Sequence, residues 1–100
     1  MTGYTYIWEF QVKPEQEASF LEHYGSEGIW VQLFKQAPGF IETLLLRDRD
    51  VPYRYVTVDR WQSAAAYQAF RTQFAEAYAA LDRACESLTS AEREIGTFDG

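Results

Sequence analysis

The side chains able to move a proton or hold an aromatic ring gather around one short stretch, Val56-Thr57-Val58-Asp59-Arg60-Trp61. Strand alternation puts Tyr55, Thr57, Asp59 and Trp61 on one face. There the Trp61 indole either lines a pocket between sheet and helices or anchors the core. Asp59 is the best-placed carboxylate. Inside an apolar cavity its pKa would rise toward neutrality, which suits a general base. Paired with an arginine such as Arg71, or exposed at a strand end, it would do no chemistry. Tyr67 opens the apolar stripe of the following helix, where its phenol serves a ligand or simply packs. His23 is the single imidazole; between Glu22 and Tyr24 near a helix end, it is expected at a solvated surface.

Other chemistries lack their residues. One cysteine and one histidine leave no disulfide and no His/Cys metal cluster, and Cys85 on an apolar helical stripe is expected to be an inert buried thiol. The six glycines are scattered, so no phosphate-cradling loop forms, and one early histidine cannot build a serine triad. Nine Lys/Arg against 15 Asp/Glu give a net charge of −6, which argues against nucleic acid or an anionic membrane as partner. No apolar run approaches the roughly 20 residues of a membrane span. Met1-Thr2-Gly3-Tyr4 has neither a basic nor an apolar leader character, so a cytoplasmic protein is expected. Seventeen aromatic residues exceed what the core of 100 residues needs. That surplus predicts a pocket.

The elements that must position these groups follow from periodicity. Residues 4–12 alternate, with Tyr4, Tyr6, Trp8, Phe10 and Val12 on one face, and predict a strand. Pro14 suits a helical first turn, and Ala18, Phe20, Leu21 and Tyr24 stripe a helix that stops near Gly25. A shorter helix falls in residues 28–37, carrying Ile29, Trp30, Leu33 and Phe34, and Pro38-Gly39 ends it. Residues 40–47 and 53–61 read as two strands across a charged turn, an antiparallel hairpin. Ser63 caps the next helix, whose stripe Tyr67, Phe70, Phe74, Ala77, Leu81, Cys85 and Leu88 advances by three or four. Thr89-Ser90-Ala91-Glu92 fits a capping box and predicts one further helical turn, with residues 94–98 closing the fold as a short strand.

That order is βαββαβ with an extra short helix, a ferredoxin-like α+β domain expected to span residues 1–100. Trp8, Trp30, Phe34, Tyr55, Phe70 and Phe74 are the expected pocket walls. Ile7, Val56 and Val58 occupy the opposite sheet face. An open apolar face predicts burial against a second copy, a homodimer.

Ala37-Pro38-Gly39-Phe40, the leucine-rich strand after it, and the run from Val56 through Trp61-Gln62-Ser63 to Tyr67 resemble the antibiotic biosynthesis monooxygenase family. The resemblance spans residues 4–88 in the right order and implies a dimeric α+β barrel. In quinone-forming members that use no cofactor, a Trp and a Tyr at this spacing line the substrate cavity. Carried onto Trp61 and Tyr67, the resemblance implies an indole that orients the ring and a phenol that donates or relays a proton. A deprotonated electron-rich phenol or anthrone can itself pass an electron to O₂, so the protein need only orient it, exclude water and manage protons. The implied reaction is oxidation of a planar aromatic polyketide, anthrone or quinol to a quinone. The alternative is a non-catalytic small-molecule-binding or scaffold member of the same fold. Haem-degrading members use an Asn on the first strand and a His on the last long helix. Here the strand reads Tyr4-Thr5-Tyr6-Ile7-Trp8-Glu9 and the helix has no His. The 28–37 helix is an addition over the shortest members, expected to reshape or plug the pocket with Trp30 and Phe34.

Overall fold

A computed structural model describes residues 3–100. Its hub is β1 (Tyr4–Val12), flanked by β3 (Arg54–Trp61) and β4 (Thr89–Asp99), with β2 (Phe40–Arg47) outside β3. All pairings are antiparallel. The helices α1 (Glu17–Tyr24), α2 (Ile29–Phe34), α3 (Ala64–Gln73) and α4 (Ala75–Cys85) complete a ferredoxin-like α+β fold. Strand alternation divides the sheet as its period of two requires: Tyr6, Phe10, Val12, Tyr55, Thr57, Asp59 and Trp61 are buried on the helical face. A 3-10 turn with Pro14 at its first position leads into α1, and α1 ends where the Gly25 N–H donates to the Leu21 carbonyl (2.9 Å).

The Pro38-Gly39-Phe40 turn has a specific mechanical role. Gly39 sits at φ +94°, and a Cβ there would come 2.6 Å from the Ala66 Cβ in the first turn of α3. The Gly39 carbonyl also accepts from the Gln62 N–H (2.7 Å), and Ser63 Oγ caps α3 by accepting from the Ala66 N–H (3.0 Å). Only a glycine lets the turn lie this close to the helix start. The end of β3 and the start of α3 are therefore held as one joint.

Two expectations are corrected at the C-terminal end. The helix read through residues 63–88 is two helices joined at Phe74 (φ −109°, ψ 27°). The bonds from Phe74 N–H to the Phe70 carbonyl (2.9 Å) and from Tyr78 N–H to the Phe74 carbonyl (2.8 Å) persist across it. This bend shifts the buried face: Ala77 is exposed and Tyr78 turns inward. The second correction concerns Thr89-Ser90-Ala91-Glu92, which opens β4 rather than a helical turn. The edge of β1 away from β3 would otherwise leave its N–H and C=O groups without partners, and pairing from Val12↔Thr89 to Tyr4↔Asp99 satisfies them. Tertiary pairing overrides the local capping signal. A bulge between Ile7 and Trp8 leaves Ile95 outside the ladder.

The sheet's other face is open. Leu44, Leu46 and Phe98 are exposed there, beside half-buried Ile7, Val56 and Val58. A polar strip runs along one side. Glu9 pairs with Arg54 and with Arg93, and Arg54 also pairs with Asp48 (2.6 Å). No helix among the described residues is long and apolar enough to cross a membrane.

Candidate active site

A cavity of about 260 Å³ opens between the sheet and the helices. Its floor comes from the strands: Tyr6, Trp8 and Phe10 of β1, Thr43 of β2, Thr57 and Asp59 of β3, and Glu92 of β4. Its roof is Tyr24 of α1, Trp30 and Phe34 of α2, Arg71 of α3, and Tyr78 and Asp82 of α4. The short helix α2 thus walls the cavity with two large rings rather than filling it. Seven of the cavity's thirteen lining residues are aromatic.

Asp59 is the buried carboxyl of the floor. Only 6% of its surface is exposed, and burial raises its pKa from 3.8 to about 7. One hydrogen bond opposes that rise. Thr43, its partner across the β2–β3 ladder, donates its hydroxyl to Asp59 Oδ1. Tyr6 faces Asp59 across the β1–β3 ladder, and burial, then the Asp59 charge, hold its phenol well above the usual range. That phenol stays protonated. The carboxyl beside it titrates near neutrality.

Arg71 closes the opposite side. Its Cζ lies 3.8 Å from the centre of the Tyr78 ring, and its Nη1 donates to the Tyr67 hydroxyl (3.1 Å). It forms no ion pair with Asp59 or any other carboxylate among the described residues. Across the mouth, Glu92 is raised by burial and by the neighbouring charges of Asp82 and Glu86.

The residues singled out by sequence do not all reach the cavity. Asp59, Trp8, Trp30 and Phe34 line the cavity together. Tyr67 does not; half-buried between Tyr6 and Trp61, it stands behind the Tyr6 ring of the floor and holds Arg71 of the roof through its hydroxyl. Trp61 and Phe70 stand behind the wall, where Trp61 has 0% exposure and packs edge-on against Phe34 at 5.7 Å. Its Nε1 is buried without a hydrogen-bond partner. Tyr55 belongs to a second cluster with Phe10 and Phe20 and donates its hydroxyl to Glu17 (2.8 Å). Phe74 sits at the helix bend outside the lining. His23 lies away from the cavity, half-buried rather than solvated, its Nδ1 donating to the Ser19 carbonyl (2.8 Å). Cys85 is a free, buried thiol.

Sequence reasoning did not assign Thr43, Arg71 or Tyr78 to the pocket. Tyr78 follows Phe74 by four residues, a helical spacing that points to it once the bend is known.

The profile of the antibiotic biosynthesis monooxygenase family matches residues 3–80. Among solved structures, the chain is similar to SnoaB, a cofactor-independent oxygenase from Streptomyces nogalater. The two share 24% identity over 98% of this chain and 92% of that one, with a TM-score of 0.72. It is also similar to NE2512, a protein of unknown function from Nitrosomonas europaea, at 20% identity over 100% and 90% of the chains and a TM-score of 0.73. A third likeness is to PA3566 from Pseudomonas aeruginosa, at 19% identity over 100% and 93% with a TM-score of 0.68. Identities of this size establish likeness of fold. No curated protein sequence matches the chain.

Proposed function

The chain belongs to the antibiotic biosynthesis monooxygenase family, and from that premise we propose a cofactor-independent monooxygenase that converts a planar aromatic polyketide, anthrone or quinol to a quinone. The observation that carries this reading is Asp59: a buried carboxyl titrating near neutrality on the floor of an aromatic-walled cavity. Such a group is matched to proton abstraction at physiological pH.

The reaction needs no second reductant. Asp59 takes a proton from the substrate, and the resulting anion passes one electron to O₂. Radical and superoxide combine, and a proton makes the hydroperoxide. At the reacting carbon of an anthrone, or of the keto tautomer of a naphthol, cleavage of the O–O bond with loss of water leaves a new carbonyl, so CH₂ plus O₂ gives C=O plus H₂O; a quinol follows this course only where a free ring C–H becomes that CH₂. Trp8, Trp30 and Phe34 hold the ring and exclude water. Trp61 supports Phe34 from behind, and Tyr67 positions Arg71; both are positioning residues in this scheme.

The open sheet face, with Leu44, Leu46 and Phe98 exposed, supports a homodimer as the working form.

Oxygen uptake with a panel of anthrones and naphthols, against protein-free autoxidation, tests the reading. The expected result is one O₂ consumed per quinone formed, without hydrogen peroxide, and a loss of about a hundredfold or more in Asp59→Asn. No uptake above autoxidation with any of the panel overturns it. Tight binding without uptake would assign the chain to non-catalytic ligand binding.

A further inference from the structure

Building on the cavity reading above, we propose that Arg71 is an anion-binding group that seats the ionised hydroxyl oxygen of a flat phenolic or enolic ligand. Arg71 is the one Lys, Arg or His side chain in the lining. Its guanidinium is fixed from two sides, by the Tyr78 ring beneath it and the Tyr67 hydroxyl that accepts from Nη1. No carboxylate among the described residues pairs with it, although Asp59, Asp82 and Glu92 line the same cavity. A guanidinium carries five N–H donors, and one of them is engaged by a neutral partner. Arg71 is exposed, and a cation held in place with free donors, beside a ring and paired with no carboxylate, is organised for an oxyanion delivered on an aromatic frame.

The placement also divides labour within the cavity. Asp59 lies on the sheet floor and Arg71 on the helical roof, so one ligand can meet a base at one edge and a cation at another. The proton lost from the ligand hydroxyl goes to solvent or to Asp59, and the oxygen it leaves stays on Arg71. Asp82 and Glu92 make the mouth unfavourable for ligands whose negative charge lies away from that oxygen. The ligand class is therefore a flat, mildly acidic phenol or enol, and carboxylate-rich aromatics are disfavoured.

Two probes separate this inference from the cavity reading on which it rests. One is 4-nitro-1-naphthol, a two-ring phenol whose anion absorbs visible light; the other is its methyl ether, which cannot ionise. Tryptophan fluorescence quenching gives the affinity of each for the wild type, Arg71→Met and Arg71→Lys at pH 8. The wild type should bind the anion more tightly than the ether, and Arg71→Met should lose tenfold or more of the anion affinity. Ether affinity should stay within about twofold across the variants, and Arg71→Lys should recover part of the loss. The ionisation of the bound naphthol, followed by absorbance, should move up by about one pH unit or more in Arg71→Met. Ether binding with equal anion affinity in wild type and Arg71→Met overturns the role of Arg71 and leaves the cavity reading standing. Failure of both probes to bind the wild type overturns both.

Discussion

Thr43 stands directly across the β2–β3 ladder from Asp59 and donates its hydroxyl to that carboxylate inside the protein. The bond favours the charged carboxylate against burial that disfavours it. Replacing Thr43 by Val keeps the shape and removes the donor, so the Asp59 pKa should climb above about 7. A hydrogen bond to a charged group is worth about 1.5–3 kcal/mol, which corresponds to a shift of roughly one to two pH units. An NMR titration of the Asp59 carboxyl carbon reads this directly. The acidic limb of oxygen uptake should shift to higher pH with it. Thr43→Ser should restore both values.

Asp59 should also cost the protein stability. Its folded pKa lies above its ordinary value, so the folded state holds a proton that the unfolded state releases between pH 3.8 and about 7. The penalty is absent below that window, grows as pH rises through it, and is complete above. Asp59→Asn should therefore be more stable than the wild type at pH 8, by up to about 4 kcal/mol, and should converge with it below pH 4. Urea unfolding at the two pH values checks the sign. Equal stability at pH 8 would mean that the carboxylate is solvated after all.

Trp61 should behave as a structural support. It is fully buried, and its indole N–H has no partner to lose, so Trp61→Phe costs packing alone. The expected destabilisation is about 1–3 kcal/mol, with affinity for the neutral naphthyl ether changed by less than about threefold. Thermal unfolding and fluorescence titration on the same samples separate the two effects. A large loss of affinity in a well-folded variant would return Trp61 to direct ligand contact.

The open sheet face should respond to charge. Leu46 is 52% exposed and flanked by the other outward-facing apolar residues. Leu46→Glu should convert a dimer to a monomer at micromolar concentration while leaving the far-UV circular dichroism unchanged. Sedimentation equilibrium decides it, and a wild type that is already monomeric refutes the dimer.

Gly39→Ala should be costly far from any ligand. The new methyl would approach Ala66 to 2.6 Å at a backbone angle that L-residues avoid. A loss of about 1–3 kcal/mol is expected. The helix carrying Arg71 should shift with it, which a weaker grip on the naphtholate anion would report.

Alternation carried most of the fold. Tyr55, Thr57, Asp59 and Trp61 share the inward face that their spacing implies, and Asp59 could be picked out on parity alone. Thr43 could not. A bulge between Phe40 and Glu42 puts both Phe40 and Thr43 on the inward side, paired with Trp61 and Asp59. β2 is apolar on both faces, so nothing in its pattern announces the slip. Arg71 and Tyr78 escaped for a related reason. They stand seven residues apart, two turns along one helical face, but the apolar stripe read from the sequence runs through Ala77, whereas the folded chain turns Tyr78 inward. Trp61 was legible as buried but not as standing one layer behind the cavity, because depth within a core leaves no periodic trace.

The bend at Phe74 separates the two halves of one contact. Arg71 precedes it and the ring beneath its guanidinium, Tyr78, follows it. Changing the angle between the helices slides the cation over its platform, so ligand preference can be retuned from a residue that never meets the ligand. Relatives that differ at this one junction could diverge in the acidity of the phenols they accept while keeping every wall of the cavity intact.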